Sequence, residues 1–414
     1  MKKQKKEERT ATICFLSTEH PPYDKRVFAK EAVSLAGAGF RTIHLCPGEE
    51  SERKTVRGVE IVTYPRPRGK LGRLFSLPRL YRIARQVGAD AYHCNEPDSW
   101  LVGVWLRLIH GKIVIFDCHE HYPGQVVRWL PPPLRRLGSF LCRYYLQVLG
   151  LFSDLVVLAK YSVAADFSWS RRRQLLVLNT TPIAALEGRK AGLTSTPPSV
   201  GGDKDSFRFI HLGVIRRERG SEQLLAALEQ LAGWGYRSHK VIIVGTFRDG
   251  SEQDFFRQAE IKGVRDRIEF HPWMPFEEAF DLVRSCQAGL VLFQKDVLNN
   301  VYGMPHKMFD YMLAGLPVIA PDFAPDIVRV LGESGAGILI DTSDPKLLAQ
   351  AMRDLMDDPL RAAEIGKRGQ KAVFERYHWE HDASNLIAAY RRLLAGRGFF
   401  SPSSLSLGDG LAQK

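Results

Sequence analysis

Residues 299–322 read NNVYGMPHKMFDYMLAGLPVIAPD, and a succession of loop, helix, glycine turn and strand can be taken from them directly. Gly303 and Pro305 exclude a helix before Pro305, which itself suits a first helical turn, and Met308, Phe309, Met312 and Leu313 recur at helical spacing. Gly315 and Pro317 stop that helix; Val318, Ile319 and Ala320 then form an apolar run long enough only for a strand buried on both faces. A helix that starts from a loop behind an earlier strand offers amide donors and a positive dipole end to an anion. His306 and Lys307 stand at that mouth, and Asp310 lies one turn further in, on the side of His306. On chemistry alone this is a phosphate site with a carboxylate placed to accept from neutral hydroxyls, the pattern of a nucleotide sugar. Taken in isolation the stretch fits better a buried helix capped by chance with a basic pair, so the rest of the chain decides.

Outward from that stretch, short apolar runs alternate with helix-compatible segments. In the first half the runs are 11–17, 41–46, 60–64, 91–94, 113–118, 154–158 and 175–178, with a helix expected over 24–38. In the second half they are 207–212, 240–244, 268–270, 288–292, 318–320 and 337–339, followed by helical segments over 344–394. Strand alternating with helix predicts parallel, doubly wound sheets whose ligands gather at the carboxyl ends of the strands. The polar clusters 18–26, 93–98 and 117–122 fall at such ends. Between the two series, PIAALEGRKAGLTSTPPSVGGDKDS is rich in Pro, Gly, Ser and charge and reads as a linker. The expected organisation is a Rossmann-like domain over 10–181, a linker over 182–206, a second Rossmann-like domain with closing helices over 207–395, and a disordered tail over 396–414.

A length of 414 residues exceeds what one core usually supports, in agreement with two domains. The six cysteines are scattered, without a C-x-x-C pair, and read as reduced core residues of a cytoplasmic protein. No apolar run reaches the roughly 18–20 residues that span a bilayer, and the opening MKKQKKEER lacks the apolar region of a signal peptide. Charge is unevenly divided: residues 1–200 hold 31 Lys and Arg against 17 Asp and Glu, the remainder 27 against 29. A basic first half fits nucleic acid, an anionic membrane surface or an acidic substrate. No zinc-ligand cluster, helix-turn-helix signature or aromatic RNA-binding motif supports nucleic acid as a partner. Residues 65–86 and 128–152 mix Arg with Trp, Phe, Tyr and Leu; they read either as a basic amphipathic surface resting on anionic lipid or as helices packing one face on the sheet. The charge of the first half favours the lipid reading and an acceptor that is itself a lipid diphosphate.

With these pieces in order, the sequence resembles the family 4 glycosyltransferases of the GT-B fold over about 11–394, bacterial surface-polysaccharide members above all. The resemblance rests on HPPYDKRVFAKEA (20–32), AYHCNEPDSW (91–100) and FDCHEHYP (116–123) in the first half. In the second it rests on HLGVIRRERGSEQLL (211–225), VIIVGTF (241–247) and PHKMFDYMLAGLPVIAPD (305–322). It implies two Rossmann-like domains facing across a cleft and transfer of a sugar from a nucleotide diphosphate, with retention of configuration and no bound metal. Asp310 then corresponds to the second acidic residue of the family's Glu-to-Glu motif, which receives the donor ribose hydroxyls, and Tyr302 stands at the first acidic position. Gly303 and Met304 offer backbone donors there, beside His306 and Lys307. Where the family has Gly-Arg and then Lys-Gly to hold the diphosphate, Gly213 is followed by Val214, and Arg216 and Arg219 are the candidate cations, Arg219 replacing the Lys and Arg217 being either the solvated neighbour of Arg216 or the reverse.

In the first half the resemblance places His119 at the reacting sugar, delivered by the strand 113–118 beside Asp117 and Glu120. Glu96 and Asp98 then meet acceptor hydroxyls or supply a base, and Glu120 meets the acceptor; the plainer reading of Glu96 and Asp98 is helix capping, which Asp98 fits. Asp24, Lys25 and Arg26 occupy the place of a Gly-rich loop in many relatives and meet the acceptor or the diphosphate through their side chains. The implied mechanism is electrostatic, with cations and a helix N-terminus stabilising charge on the departing diphosphate and domain closure excluding water. The rival functions are a GT-B epimerase or phosphorylase, which needs no acceptor, and a non-catalytic nucleotide-sugar-binding relative, to which Tyr302 and Val214 point. The acceptor expected is a glycan or a lipid-diphosphate-linked sugar, and the place of action the cytoplasm, peripherally at the inner membrane face.

Overall fold

The computed structural model describes residues 10–183, 206–397 and 399. The expected linker and tail fall almost wholly outside the described residues. The chain divides into two compact units, one made of residues up to Leu178 together with those from Glu380 onward, the other of Asn179–Trp379.

In the first unit β1 (Thr12–Leu16), β2 (Arg41–Gly48), β3 (Arg53–Val56), β4 (Val59–Pro65), β5 (Ala91–Cys94), β6 (Ile113–Cys118), β7 (Leu155–Leu158) and β8 (Gln174–Leu176) form one sheet in the order β3-β4-β2-β1-β5-β6-β7-β8. Every pair is parallel except β3 with β4. The inner strands read as continuous apolar runs because helices cover both faces. Trp100 anchors the core, stacked at 3.9 Å on Phe116 with its indole N–H donating to Ser153 Oγ at 2.7 Å. Chain order reverses beside β1, where β2 and β5 flank it, so the segments leaving β1, β5 and β6 gather at one edge.

In the second unit β9 (Phe207–Val214), β10 (His239–Thr246), β11 (Ile268–Pro272), β12 (Ala288–Leu290), β13 (Val318–Pro321) and β14 (Gly337–Ile340) form an all-parallel sheet in the order β11-β10-β9-β12-β13-β14. The reversal here lies between β9 and β12, beside the N-terminus of the helix His306–Leu313.

Four sequence expectations are corrected. The chain from Asp24 onward does not enter an α-helix; Asp24 accepts from the amides of Arg26 and Val27, a wide π-helical stretch runs over Val27–Ala32, and regular helix is confined to Val33–Gly37. Strand β3 was not foreseen. Its hairpin with β4 turns at Arg57 and Gly58, both with positive φ, and its half-polar run RKTV suits an edge. A one-turn helix, Leu298–Val301, does precede Gly303, held by Asn300 Nδ2 donating to the carbonyls of Glu218 and Gln294. Finally, the last helix, Trp379–Ala395, packs from Glu380 onward with the first unit rather than the second, because Tyr390 is buried there with its hydroxyl 2.7 Å from His93 Nδ1.

Strands β9 and β10 pair Gly213 with Gly245 so closely that a Cβ on Gly245 would lie 1.8 Å from the Gly213 carbonyl oxygen. Gly245→Ala is expected to lower stability by about 1–3 kcal/mol, the range for forcing atoms into a filled space, read as a lower Tm. An unchanged Tm would show that the two strand ends separate freely.

Candidate functional site

The second unit carries a cavity of about 310 Å³ at the carboxyl ends of its strands, lined by Leu212, Gly213 and Val214 from β9, by Arg219 and Phe293, and by Pro305, His306, Lys307 and Asp310 around the start of the helix. Gly213 has φ +93°, a conformation that a side chain disfavours, and this aims the end of β9 past the cavity. Pro305 caps the helix with extended backbone, leaving the first-turn amides to point outward. Arg219 lies with its guanidinium 4.2 Å above the Phe293 ring, which supports its plane without consuming its donors. Lys307 Nζ stands 3.2 Å from Nε2 of fully buried His211. Burial, and then the charge of Arg219, hold the Lys307 ammonium well below its usual range; burial and Lys307 do the same to His211. Asp310 is buried and accepts from the Thr181 hydroxyl at 2.5 Å. The cavity thus joins crowded positive charge to one carboxylate, a chemistry that suits an anion linked to a hydroxylated group.

Of the residues singled out from the sequence, the structure brings Gly213, Arg219, His306, Lys307 and Asp310 to this cavity. Tyr302, Gly303 and Met304 do not line it: Gly303 and Met304 are buried, and a Cβ on Gly303 would meet the Phe293 ring at 2.7 Å. Arg216 also stands outside the lining, with its guanidinium 2.6 Å from Glu218, while Arg217 is the exposed neighbour beside Glu222. Phe293, Thr181 and His211 were missed. Phe293 ends the apolar run that starts at β12, so the rule that ligands meet carboxyl ends of strands was a signal for it; Thr181 approaches Asp310 only through the fold.

The first unit gathers a second polar cluster. Asp117, at the end of β6 and fully buried, receives Nε and Nη2 of Arg26 at 3.0 and 2.9 Å and stands 2.6 Å from Nε2 of His119. Arg26 Nη2 is also 3.0 Å from Glu31, and His93 Nε2 lies 3.5 Å from Glu31. Glu31, His93 and Asp117 have ligand atoms within 4.8 Å of one another, as a metal site would, but the Arg26 guanidinium lies among them and meets their charge. Desolvation opposes ionisation of Asp117, yet Arg26 and His119 outweigh it and hold its carboxyl well below the usual range.

Four residues assigned to the acceptor from the sequence are each engaged inside the unit. Arg26 is buried against Asp117 and Glu31, and Asp24 caps the turn it precedes. Glu96 accepts from the amides of Thr18, Glu19 and His20, from His20 Nδ1 and from Ser99 Oγ; these bonds outweigh desolvation and lower its pKa to about 2. Asp98 accepts from Thr18 Oγ1, the Ser99 amide and Arg73. Capping, the plainer reading, is therefore what these two carboxylates do, and Glu96 more fully than Asp98. Glu120 keeps 45% of its side chain exposed, 3.2 Å from Lys160, and His119 keeps 12%.

Each unit is a doubly wound parallel sheet with its polar side chains at the strand carboxyl ends, the domain type from which GT-B proteins are built. Two family profiles match, "Glycosyltransferase Family 4" over residues 26–168 and "Glycosyl transferases group 1" over 195–372. A D-inositol 3-phosphate glycosyltransferase of Acidothermus cellulolyticus is 27% identical over 33% of this chain and 28% of its own. A GDP-mannose:cellobiosyl-diphosphopolyprenol alpha-mannosyltransferase of Xanthomonas oryzae is 24% identical over 41% of this chain and 42% of its own. Among solved structures, the Anabaena protein HepE in complex with UDP superposes with a TM-score of 0.68 at 15% identity, covering 92% of this chain and all of that one. This chain belongs to the family 4 glycosyltransferases and has the GT-B fold. Its aligned stretches span less than half the length of these curated relatives.

Because burial and Arg219 hold Lys307 below its usual pKa, a diphosphate, whose negative charge favours the ammonium, is expected to bind with proton uptake and more tightly as pH falls. Calorimetry with a nucleoside diphosphate near pH 8.5, an alkaline point chosen by that linkage, in two buffers of different ionisation enthalpy, checks this. Lys307→Gln should remove most of the uptake, and buffer-independent heats in the wild type would contradict the assignment.

Proposed function

We propose that the protein is a retaining glycosyltransferase that moves a sugar from a nucleotide-diphosphate donor to a glycan or lipid-diphosphate-linked acceptor in surface-polysaccharide biosynthesis. The observation that carries this is the cavity in which Arg219, Lys307 and a helix N-terminus surround a space that Asp310 borders. In this reading Asp310 accepts from the ribose hydroxyls, and the cations and helix amides hold the diphosphate. As the glycosidic bond breaks, negative charge grows on the β-phosphate and the sugar carbon becomes oxocarbenium-like. Fixed cations then favour the transition state over the ground state. The acceptor attacks from the leaving-group face, and its proton passes to the departing phosphate. Neutralisation by side chains and helix amides leaves no step that requires a metal. His119 acts at the reacting sugar, with half-exposed Glu120 towards the acceptor.

A membrane surface as the place of action is supported by the first unit. On the helix Arg135–Leu151, Leu137, Phe140, Leu141 and Tyr144 are exposed on one face, and Trp129 just before it is 72% exposed. The helix Gly69–Val87 likewise exposes Leu71, Leu74 and Phe75 at 71%, 55% and 78%. Apolar faces flanked by arginines suit the interface of an anionic bilayer, where each cation near the surface contributes about 1 kcal/mol. No described helix is long and apolar enough to cross a membrane. The relative that acts on a diphosphopolyprenol carries its acceptor on a lipid by its name, which fits the same placement.

Two measurements test the proposal. UDP, GDP, ADP and dTDP are compared for thermal stabilisation; one is expected to raise the Tm preferentially, and Asp310→Ala to abolish the rise. No shift with any nucleotide at millimolar concentration would favour a non-catalytic role. Arg135→Glu combined with Arg136→Glu is expected to abolish co-sedimentation with vesicles containing anionic lipid while leaving the nucleotide shift intact; unchanged sedimentation would remove the membrane from the proposal.

A further inference from the structure

His119 ends β6 with its two ring nitrogens in different surroundings. Nε2 faces Asp117 at 2.6 Å, while no hydrogen bond reaches Nδ1 among the described residues. An ionised carboxylate only accepts, and Asp117 is kept ionised by two parallel hydrogen bonds from Arg26. The proton of a neutral His119 therefore resides on Nε2, and Nδ1 keeps its lone pair. The carboxylate is itself immobilised. Arg26 is pinned between Asp117 and Glu31, and its chain segment is fixed by the Asp24 cap at one end and the π-helical stretch at the other. Beyond Glu31, His93 is held at Nδ1 by the Tyr390 hydroxyl at 2.7 Å, so the terminal helix braces the same cluster. Every member except His119 is buried, and His119 alone reaches solvent. The nearest ring to it, His20 at 4.9 Å, is anchored in the same manner by a second buried carboxylate, Glu96.

We infer that Asp117 is the positioning residue of His119: it fixes the imidazole in the Nε2–H tautomer and presents Nδ1 as an acceptor for a sugar hydroxyl of the substrate, with Arg26 holding Asp117 in place. This rests on the transferase reading, which puts His119 at the reacting sugar. It adds which nitrogen meets the substrate and what sets the choice. A ring in the other tautomer would turn an N–H to that hydroxyl in place of the lone pair, and a carboxamide in place of the Asp117 carboxylate could impose it by donating to Nε2. A carboxylate that cannot move removes the alternative.

The tautomer is read first on the wild-type protein, from histidine ¹⁵N chemical shifts with His119 assigned by difference against His119→Asn. An unprotonated Nδ1 and a protonated Nε2 are expected; the reverse overturns the inference without any measurement of turnover. Turnover is then measured for Asp117→Asn and His119→Ala with the nucleotide sugar found to stabilise the protein. Asp117→Asn is expected to lower kcat by roughly 10²–10⁴-fold, the scale seen when a histidine loses the carboxylate that sets its tautomer. The Tm shift with nucleotide should stay as in the wild type, since the cavity proposed to bind it lies in the other unit. An undiminished kcat in Asp117→Asn beside an inactive His119→Ala overturns the role of Asp117 and leaves the transferase reading standing. An absent nucleotide shift in the wild type counts instead against the transferase reading, and leaves the tautomer assignment to be decided by the spectrum.

Discussion

The buried pairing of Arg26 with Asp117 fixes the geometry of the first unit's functional edge. Taking a guanidinium and a carboxylate out of water costs several kcal/mol for each ion and is offset only where the geometry is good and the remaining donors find partners. Here two parallel bonds at 2.9 and 3.0 Å and a third contact to Glu31 meet that condition. The pair ties the segment after β1 to the end of β6, two strands that are not neighbours in the sheet. Loss of either partner would leave a charge stranded in a closed interior, so the two positions stand or fall together.

The second unit uses charge in the opposite way. Lys307 leans on His211, Arg219 lowers the pKa of both, and the helix N-terminus adds a partial positive charge. Such an arrangement is electrostatically strained until an anion arrives, and the strain is what gives a phosphate group its advantage over water. Asp310 escapes neutralising that field because it is turned towards Thr181, one helical turn deeper. The same edge of the sheet therefore offers separate places for a charged and an uncharged part of one ligand.

Much of this was legible in the sequence. Apolar runs of three to seven residues marked the inner strands to within about two residues, since strands buried on both faces leave an unbroken hydrophobic signature, as Ile113–Cys118 does. The cavity residues His306, Lys307 and Asp310 could be named because a strand, a glycine and a helix start fix where backbone amides point, whereas Arg219 came from the resemblance to the family. What was not legible depends on partners far apart in the chain. Glu96 looked available as a free carboxylate, and only the fold brings it the amides of Thr18, Glu19 and His20, nearly eighty residues away. Glu31 and Tyr390 carry no local signal, being polar residues inside apolar patterns, and His93 stood at the edge of the polar cluster 93–98 with nothing to name its partners. Arg216 and Arg219 are equivalent as letters, and it is the pairing with Glu218 against the stacking on Phe293 that separates them.

The six free cysteines give the molecule a set of internal clocks. Cys14, Cys94 and Cys118 lie in β1, β5 and β6 of the first unit, and Cys286 just before β12 of the second; burial raises the pKa of each, that of Cys286 to about 12. A thiol reagent reacts with the thiolate, so these sulfurs are silent while the chain is closed and become reactive only when their own strand opens. Alkylation rates at the two sets would then time the opening of each unit separately, and a ligand that steadies only one would slow one clock and leave the other running.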